Sequence, residues 1–297
     1  MIHKDCQKDE AADFRVKKYQ LDFSVGLNLT GSAKVYVDRS ELKSYRFTLY
    51  HGYKVKQVTD QTGAALDFRR EYDYVTVTRG GAAVEYLCLE YTGKSPKYYS
   101  SYAGVCLPAN FAYYPIPGYR ELFKDNFYGF IDCSLPYDTA FDVRCSGRKQ
   151  MYCNLAARGD NHFAGNARSI TLLSGYYDTL KLNDTLVVYP KYADTEIQAK
   201  IKKNMGTFTK EHRDIRTIFI MGADNLTPYE HLRSYDGYLV TSSIYDMEQS
   251  YFESQIDISK LHFYKTFVYY YNEKVDREEL EQLKQSEDPE EYPMVQI

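Results

Sequence analysis

The sequence predicts a mainly β protein with a smaller α/β part: an antiparallel β-sandwich or saddle domain followed by a short α/β segment. Between Tyr19 and about Pro190, apolar and polar residues alternate with a period close to two, and turn residues separate the runs. Tyr, which suits the half-buried face of a sheet, occurs 32 times, and Trp is absent. After Pro190 the apolar period lengthens to that of a helix.

The first set of strands precedes an irregular connection over residues 95–120, which is rich in Tyr and Pro. Thr62-Gly63 and Gly80-Gly81 are predicted hairpin loops, since Gly and its polar neighbours tolerate the backbone of tight turns. The predicted strands cover residues 18–29, 33–38, 45–50, 53–58, 72–78 and 84–91.

A second set of strands follows the connection, over residues 127–133, 139–145, 151–155, 169–173 and 185–189. Beyond it, Asp194 is a candidate N-cap for an amphipathic helix whose apolar face carries Ile197, Ile201, Met205 and Phe208. Further strands are expected at 217–221, 238–241 and 263–271, and a charged helix at 275–285 precedes a frayed tail. The predicted organisation is a β domain over 15–190, an α/β segment over 191–272 and an acidic helix and tail over 273–297.

Composition indicates a soluble globular chain and argues against a nucleic-acid partner. The 297 residues include 44% apolar and 26% charged residues, and the formal net charge is -4. Residues 273–297 carry nine acidic and three basic side chains, so the rest of the chain is close to neutral and has no strong basic stripe. No apolar run of membrane-spanning length and no secretory leader is found, although a soluble piece of a membrane protein would look the same.

Several short sequences occur in a characteristic order along the chain, at 19–24, 31–35, 47–50, 55–58, 91–93, 113–115, 175–177 and 187–190. In this order they resemble the N-terminal β domain of M1-family (gluzincin) aminopeptidases. The resemblance covers about residues 15–190, and the part after Pro190 resembles the opening of the thermolysin-like domain of that family. It implies a saddle-shaped antiparallel β domain that borders a zinc peptidase cleft.

The zinc chemistry of that family is not predicted for this chain, so we expect no catalytic residue, no metal ligand and no cofactor. A zinc peptidase of this type needs two His one helical turn apart with a Glu beside the first, and no His here has another four residues away. Glu211-His212 and Glu230-His231 have the wrong order, and the six Cys form no CxxC pair. Gly222-Ala-Asp-Asn225 resembles the Gly-Ala-Met-Glu-Asn element that holds the substrate amine, but it is one residue short and has Asp for Glu. We interpret it as a loop after a strand.

The only candidate binding surface is a group of tyrosines in and near the irregular connection. Exposed, coplanar rings would favour a carbohydrate- or peptide-binding β-sandwich, whereas buried rings would favour packing of the connection onto the sheet, which is the preferred interpretation. The candidates are Tyr98, Tyr99, Tyr102, Tyr113, Tyr114 and Tyr119.

The preferred functional hypothesis is a non-catalytic, aminopeptidase-like module for recognition or assembly. Some members of the wider family are fused to transporter-like permeases, so the resemblance suggests the extracytoplasmic, soluble part of a membrane protein. Expected partners are a peptide, a protein, or the membrane segments of the same parent protein. The main alternative is a fragment of an M1-type zinc aminopeptidase whose catalytic helix lies beyond Ile297. On either hypothesis this chain is not itself expected to be an enzyme.

Overall fold

A computed structural model describes residues 8–26, 28–95, 104–109, 111–122, 133–191, 195–221 and 232–241. These residues are mostly in β-strands, arranged in several antiparallel or mixed sheets, and few are helical. The predicted fold class is therefore confirmed. The predicted strand at 263–271, the acidic helix and tail at 273–297 and residues 127–132 of another strand lie outside the described residues.

The described part of the chain runs through its elements in an order that begins with β structure and reaches its helix late. In chain order they are β1 (Val16–Val25), β2 (Leu29–Val37), β3 (Ser44–Thr48), β4 (Tyr53–Thr59), β5 (Phe68–Glu71), β6 (Tyr74–Thr78), β7 (Tyr86–Gly93), β8 (Gly104–Leu107), β9 (Ile116–Pro117), β10 (Thr139–Ser146), β11 (Gln150–Cys153), β12 (Ala156–Gly159), β13 (His162–Ala167), β14 (Leu172–Gly175), β15 (Tyr177–Leu182), β16 (Thr185–Pro190), α1 (Thr195–Glu211), β17 (Thr217–Ile220), β18 (Leu232–Tyr235) and β19 (Tyr238–Thr241).

The largest sheet has seven strands in the order β12-β13-β10-β1-β2-β7-β4. Its centre is β1, which pairs antiparallel with β2 and parallel with β10, so that the two predicted sets of strands share one sheet. On β2, Gly31 lies opposite Tyr91, and a Cβ at that position would come within 2.5 Å of the Tyr91 ring. Glycine is required there because the tyrosine ring covers the backbone of the neighbouring strand.

Two smaller sheets complete the β part, with orders β5-β6-β3-β9 and β11-β14-β8. Strands β8 and β9 belong to the connection that the sequence predicts to be irregular, so that prediction misses two short strands. Alternation was too short to reveal them, since β9 has only two residues. Both strands obtain their partners from distant segments: β8 pairs with β14 and β9 with β3.

The connection between the two sets of strands passes through the core and not over the surface. Every residue from Phe111 to Tyr119 is buried. A buried irregular backbone needs hydrogen-bond partners, and tyrosine hydroxyl groups supply two of them: Tyr19 Oη donates to the carbonyl oxygen of Pro115 and Tyr91 Oη to that of Tyr113, both at 2.8 Å. We call residues 111–119 the buried crossover.

The α/β part is built on a five-stranded mixed sheet in the order β15-β16-β17-β19-β18. Strands β16, β17 and β19 are mutually parallel, and α1 forms the connection from β16 to β17. The sheet includes strands on both sides of the predicted boundary, since β15 and β16 end at or before Pro190 and β17, β18 and β19 follow it.

The predicted helix is confirmed, and its apolar face is buried through Ile201 and Met205, which are 0% and 1% exposed. Asp194, the predicted N-cap, and the side chain of Ile197 lie outside the described residues. Within the described part, no helix is long and apolar enough to span a bilayer.

Candidate functional site

The candidate site is the edge of the five-stranded sheet where its parallel strands end. Strands β16, β17 and β19 run in the same direction, so their carboxyl ends lie on one edge. Ligands of open α/β sheets bind outside the carboxyl ends of the parallel strands. Met221 follows β17 at this edge, and the Gly222–Asn225 tetrapeptide that comes next in the sequence lies outside the described residues.

The residue before that tetrapeptide is held by hydrogen bonds from both sides. Tyr177, at the start of β15, donates its hydroxyl hydrogen to the carbonyl oxygen of Met221 at 2.9 Å, and both residues are buried. The amide of Met221 donates to the carbonyl oxygen of Thr241 at 2.9 Å, at the end of β19. The backbone of Met221 is therefore fixed.

A second buried network fastens the sheet to the β part through the hydroxyl group of Tyr238. Ser169 Oγ lies 3.0 Å from Tyr238 Oη, and Thr171 Oγ1 donates to the same oxygen at 3.2 Å. The backbone amide of Ala109 donates to Thr171 Oγ1, also at 3.2 Å. All of these side chains are at most 2% exposed. Satisfied buried networks of this kind fix one packing arrangement, so the amino end of β19, which begins at Tyr238, has a set position against the β part.

No zinc site is formed by the residues that the structure describes, since no three His, Cys, Asp or Glu side chains there are grouped to hold a metal ion. His212, of the Glu211-His212 pair, is exposed beyond the end of α1, where its ring stacks on Phe208 at 4.3 Å. His231, of the other Glu-His pair, lies outside the described residues. The described residues therefore do not provide a ligand set for the zinc ion that the family resemblance would imply.

Three of the six candidate tyrosines are described, and all three are core residues. Tyr113 and Tyr114 are 0% and 1% exposed, and their rings meet edge to face with centroids 5.0 Å apart and planes at 81°. Tyr113 Oη donates to the carbonyl oxygen of Ile170 at 2.7 Å, and burial raises the pKa of Tyr113 well above its usual value.

Tyr119 lies apart from that pair, against Tyr74 at 4.7 Å, with its hydroxyl bonded to Thr76 Oγ1. These three rings offer no exposed, coplanar platform. Tyr98, Tyr99 and Tyr102 lie outside the described residues.

A polar cluster that the sequence does not predict lies where the turn after β3 meets the β5–β6 hairpin loop. Asp73 is 1% exposed, and its Oδ1 accepts hydrogen bonds from the backbone amide of His51 at 2.6 Å and from the His51 ring at 3.0 Å. Arg70 Nη2 donates to the carbonyl oxygens of Leu49 and Tyr50 at 2.7 and 2.9 Å. No motif could have revealed the cluster, because strand pairing and not sequence proximity brings these segments together. We call Arg70, Asp73 and His51 the turn cluster.

The fold has relatives among solved structures, although no protein-family model and no curated protein matches the sequence. Yeast LTA4 hydrolase in complex with bestatin matches with a TM-score of 0.56 and 13% identity over 83% of this chain and 42% of that protein. The family resemblance is confirmed at the level of the fold. Native leukotriene A4 hydrolase from Saccharomyces cerevisiae matches with a TM-score of 0.54 and 11% identity, over 77% of this chain and 40% of that one.

An aminopeptidase N family protein from Idiomarina loihiensis also matches, with a TM-score of 0.50 and 9% identity over 75% of this chain and 42% of that one. The chain thus spans about two-fifths of the length of these proteins. Identities this low establish a shared fold and leave activity open.

Proposed function

We propose that this chain is the N-terminal part of an M1-type zinc aminopeptidase, consisting of the β domain and the opening of the peptidase domain, with the zinc-binding helix beyond Ile297. In this role the chain borders the substrate cleft and does not perform hydrolysis by itself. The basis for the second statement is the sequence, in which no His pair has the spacing that this chemistry requires.

The observation that carries the proposal is the mixed sheet after the β domain. Coverage of 83% of the chain is more than residues 15–190 can account for, because they make up less than two-thirds of the 297 residues. The likeness to yeast LTA4 hydrolase therefore includes residues of the α/β part. A β domain that served recognition alone would not need a parallel βαβ unit whose carboxyl edge is held by Tyr177 and whose opposite edge is held by Tyr238.

The first test is the coding sequence that surrounds this chain. An HExxH motif within about a hundred residues after Ile297, on a helix that brings both His to one face, is the expected result. A downstream sequence without that motif contradicts the proposal.

The second test compares this chain with the version extended through that motif. We expect stoichiometric zinc and chelator-sensitive hydrolysis of aminoacyl arylamides in the extended protein, and neither in the chain alone. Stoichiometric zinc together with chelator-sensitive hydrolysis in the chain alone would contradict the proposal that this chain does not perform hydrolysis by itself.

A second candidate function is a non-catalytic module of a larger membrane protein that binds a peptide or protein. It is favoured by the departure at Gly222–Asn225, where Asp224 replaces the family's Glu and one residue is missing. A shorter carboxylate side chain in a shorter loop would reach a substrate amine less well. An apolar segment of about 20 residues in the flanking sequence, without HExxH, would favour this candidate over the peptidase.

A further inference from the structure

The guanidinium group of Arg70 is held firmly, yet one of its nitrogens has no partner among the described residues. Nε donates to the carbonyl oxygen of Tyr72, and Nη2 donates to those of Leu49 and Tyr50. Nη1 is buried and has no hydrogen-bond acceptor in the part of the chain that the structure describes. A buried donor without an acceptor costs about 1–3 kcal/mol, and more when it is charged, so the position of Arg70 requires an explanation.

No carboxylate among the described residues is in direct contact with Arg70. Its three acceptors are backbone carbonyls, while the nearby carboxylates have other partners: Asp73 bonds to His51, and Glu71 pairs with Lys8 and Arg69. Burial lowers the pKa of Arg70 to about 10, against the opposing effect of the Asp73 charge. The group still carries its positive charge at neutral pH, and an anion beside it would be stabilised.

A cavity of about 490 Å³ lies beside this group, which is within the range of small-ligand sites. Its lining combines basic side chains with aromatic and aliphatic ones. A site for an organic anion requires both, the first for the charge and the second for the apolar body. The lining residues are His51, Tyr53, Lys54, Val55, Phe68, Arg70 and Tyr72.

The walls of the cavity come from two strands that are each outermost in their sheet among the described strands. They are β4, at one end of the seven-stranded sheet, and β5, at one end of the four-stranded sheet. Side chains at alternating positions of β5 and its loop face the cavity: Phe68, Arg70 and Tyr72. Edge strands accept extended peptides, with pockets that read alternate side chains.

The β5–β6 hairpin loop, which contributes Tyr72 to the cavity, has a strained backbone. Glu71 pairs with Tyr74, so Tyr72 and Asp73 form a two-residue loop, and Tyr72 has a φ of 48°. A bulky residue at positive φ costs about 1–3 kcal/mol, and such strain clusters at binding sites. The strained conformation is the one in which Tyr72 lines the cavity and its carbonyl oxygen accepts the Arg70 Nε hydrogen bond.

We propose that this cavity binds the C-terminal carboxylate of an extended peptide, with the guanidinium group of Arg70 and the ammonium group of Lys54 as the cations and Phe68 and Tyr72 as the wall for the last side chain. The site lies wholly in the β part and does not depend on the proposed peptidase function. It is a binding site, and no bond is made or broken there.

The test is calorimetric titration of the full chain with N-acetyl-L-phenylalanine and, in parallel, with its amide. The two probes have the same apolar body and differ in the carboxylate. We expect saturable binding of the acid that is at least about tenfold tighter than that of the amide, because a charge-assisted hydrogen bond contributes roughly that factor. Equal affinities, or no binding of the acid, would overturn the proposal.

Variants test whether Arg70 causes the preference for the acid over the amide. Arg70→Gln is expected to weaken binding of the acid by about tenfold and to leave the amide unchanged. Arg69→Gln is the matched control, since Arg69 precedes Arg70 on the same strand, is 78% exposed, and does not line the cavity. An equal loss in both variants would overturn the assignment.

Lys54→Gln decides the question if Arg70→Gln fails to fold, because Lys54 is exposed and its replacement leaves the core intact. Selective weakening of the acid by this variant supports the carboxylate site. Unchanged binding of the acid contradicts it.

Discussion

The buried crossover and the turn cluster both place polar groups inside the β part, but they differ in how completely these groups are hydrogen-bonded. In the crossover, the carbonyl oxygens of Tyr113 and Pro115 each receive a tyrosine hydroxyl, and the amide of Tyr50 donates to the carbonyl oxygen of Ala112 at 2.9 Å. In the turn cluster, the guanidinium of Arg70 is bonded through Nε and Nη2 but not through Nη1.

The buried polar groups have a structural role in the crossover and a proposed binding role in the turn cluster. Neutral hydroxyl groups that all find acceptors stabilise one packing arrangement and leave nothing for a ligand. A buried cation that no described carboxylate contacts lowers the stability of the unliganded protein, and an anion bound in the neighbouring cavity offsets part of that cost. Four predictions test this comparison, beginning with the largest effect.

The crossover should make the protein sensitive to alkali. Burial raises the pKa of Tyr19, Tyr91 and Tyr113 well above the usual value of about 10. Below that pH the phenols are neutral in both states and stability is complete. Above it the unfolded chain releases protons that the folded chain retains, so the free energy of unfolding falls by about 1.4 kcal/mol per pH unit for each phenol, or about 4 kcal/mol for the three.

Urea unfolding between pH 8 and pH 11, with tyrosinate absorbance followed in parallel, measures this fall. A free energy of unfolding that stays constant up to pH 11 would show that these phenols titrate freely in the folded state.

The turn cluster should depend strongly on its one buried carboxylate. Asp73→Ala removes the acceptor of two hydrogen bonds from His51 and a negative charge that acts on Arg70. We expect the free energy of unfolding to fall by about 2–3 kcal/mol in urea titrations, as for hydrogen bonds to charged groups. Asp67→Ala, at an exposed position just before β5, is the control and should change it by less than about 0.5 kcal/mol. Similar losses in the two variants would contradict the structural role of Asp73.

A smaller loss is expected when one hydroxyl is removed from the crossover. Tyr19→Phe keeps the ring stacked on Phe141 and leaves the carbonyl oxygen of Pro115 without its tyrosine donor. The free energy of unfolding should fall by about 1–2 kcal/mol. Tyr176→Phe is the control, because Tyr176 is 60% exposed. If the two variants are equally stable, hydroxyl donors do not explain how the crossover is buried.

Alternation over many residues predicts β7 and most of β1 and β2, and Ile201 and Met205 predict the late helix. The predicted strand at 18–29 is too long, because β1 ends at Val25 and β2 already begins at Leu29. It does not predict β8 and β9, which are short and take their partners from distant segments. The predicted strand at 72–78 begins two residues too early, because Tyr72 and Asp73 form a hairpin loop despite the strand preference of Tyr.

The candidate sites were harder to predict than the fold, because the exposure and the contacts of a side chain depend on which distant segments meet. A tyrosine's exposure depends on which segments cover it, so Tyr113 and Tyr114 could be assigned to packing only as a preference. The turn cluster combines Arg70 and Asp73 with His51 across two turns, and periodicity carries no information about that contact. Local pattern fixes which face of a strand is buried, whereas the meeting of two sheet edges is a property of the complete fold.

The last prediction concerns the strained residue of the turn cluster and separates stability from binding. Among the described residues, the other non-glycine residues with positive φ are Asn161 and Asn183, a residue type that tolerates this conformation. Tyr72→Gly should therefore raise the free energy of unfolding by up to about 1 kcal/mol, while removing the ring from the cavity and weakening binding of N-acetyl-L-phenylalanine. Tyr72→Ala, the matched control, removes the same ring and retains the strain, so it should weaken binding equally without stabilising the protein. Urea unfolding and calorimetry of both variants measure the two effects, and a glycine variant less stable than the alanine one would show that the loop stores no strain.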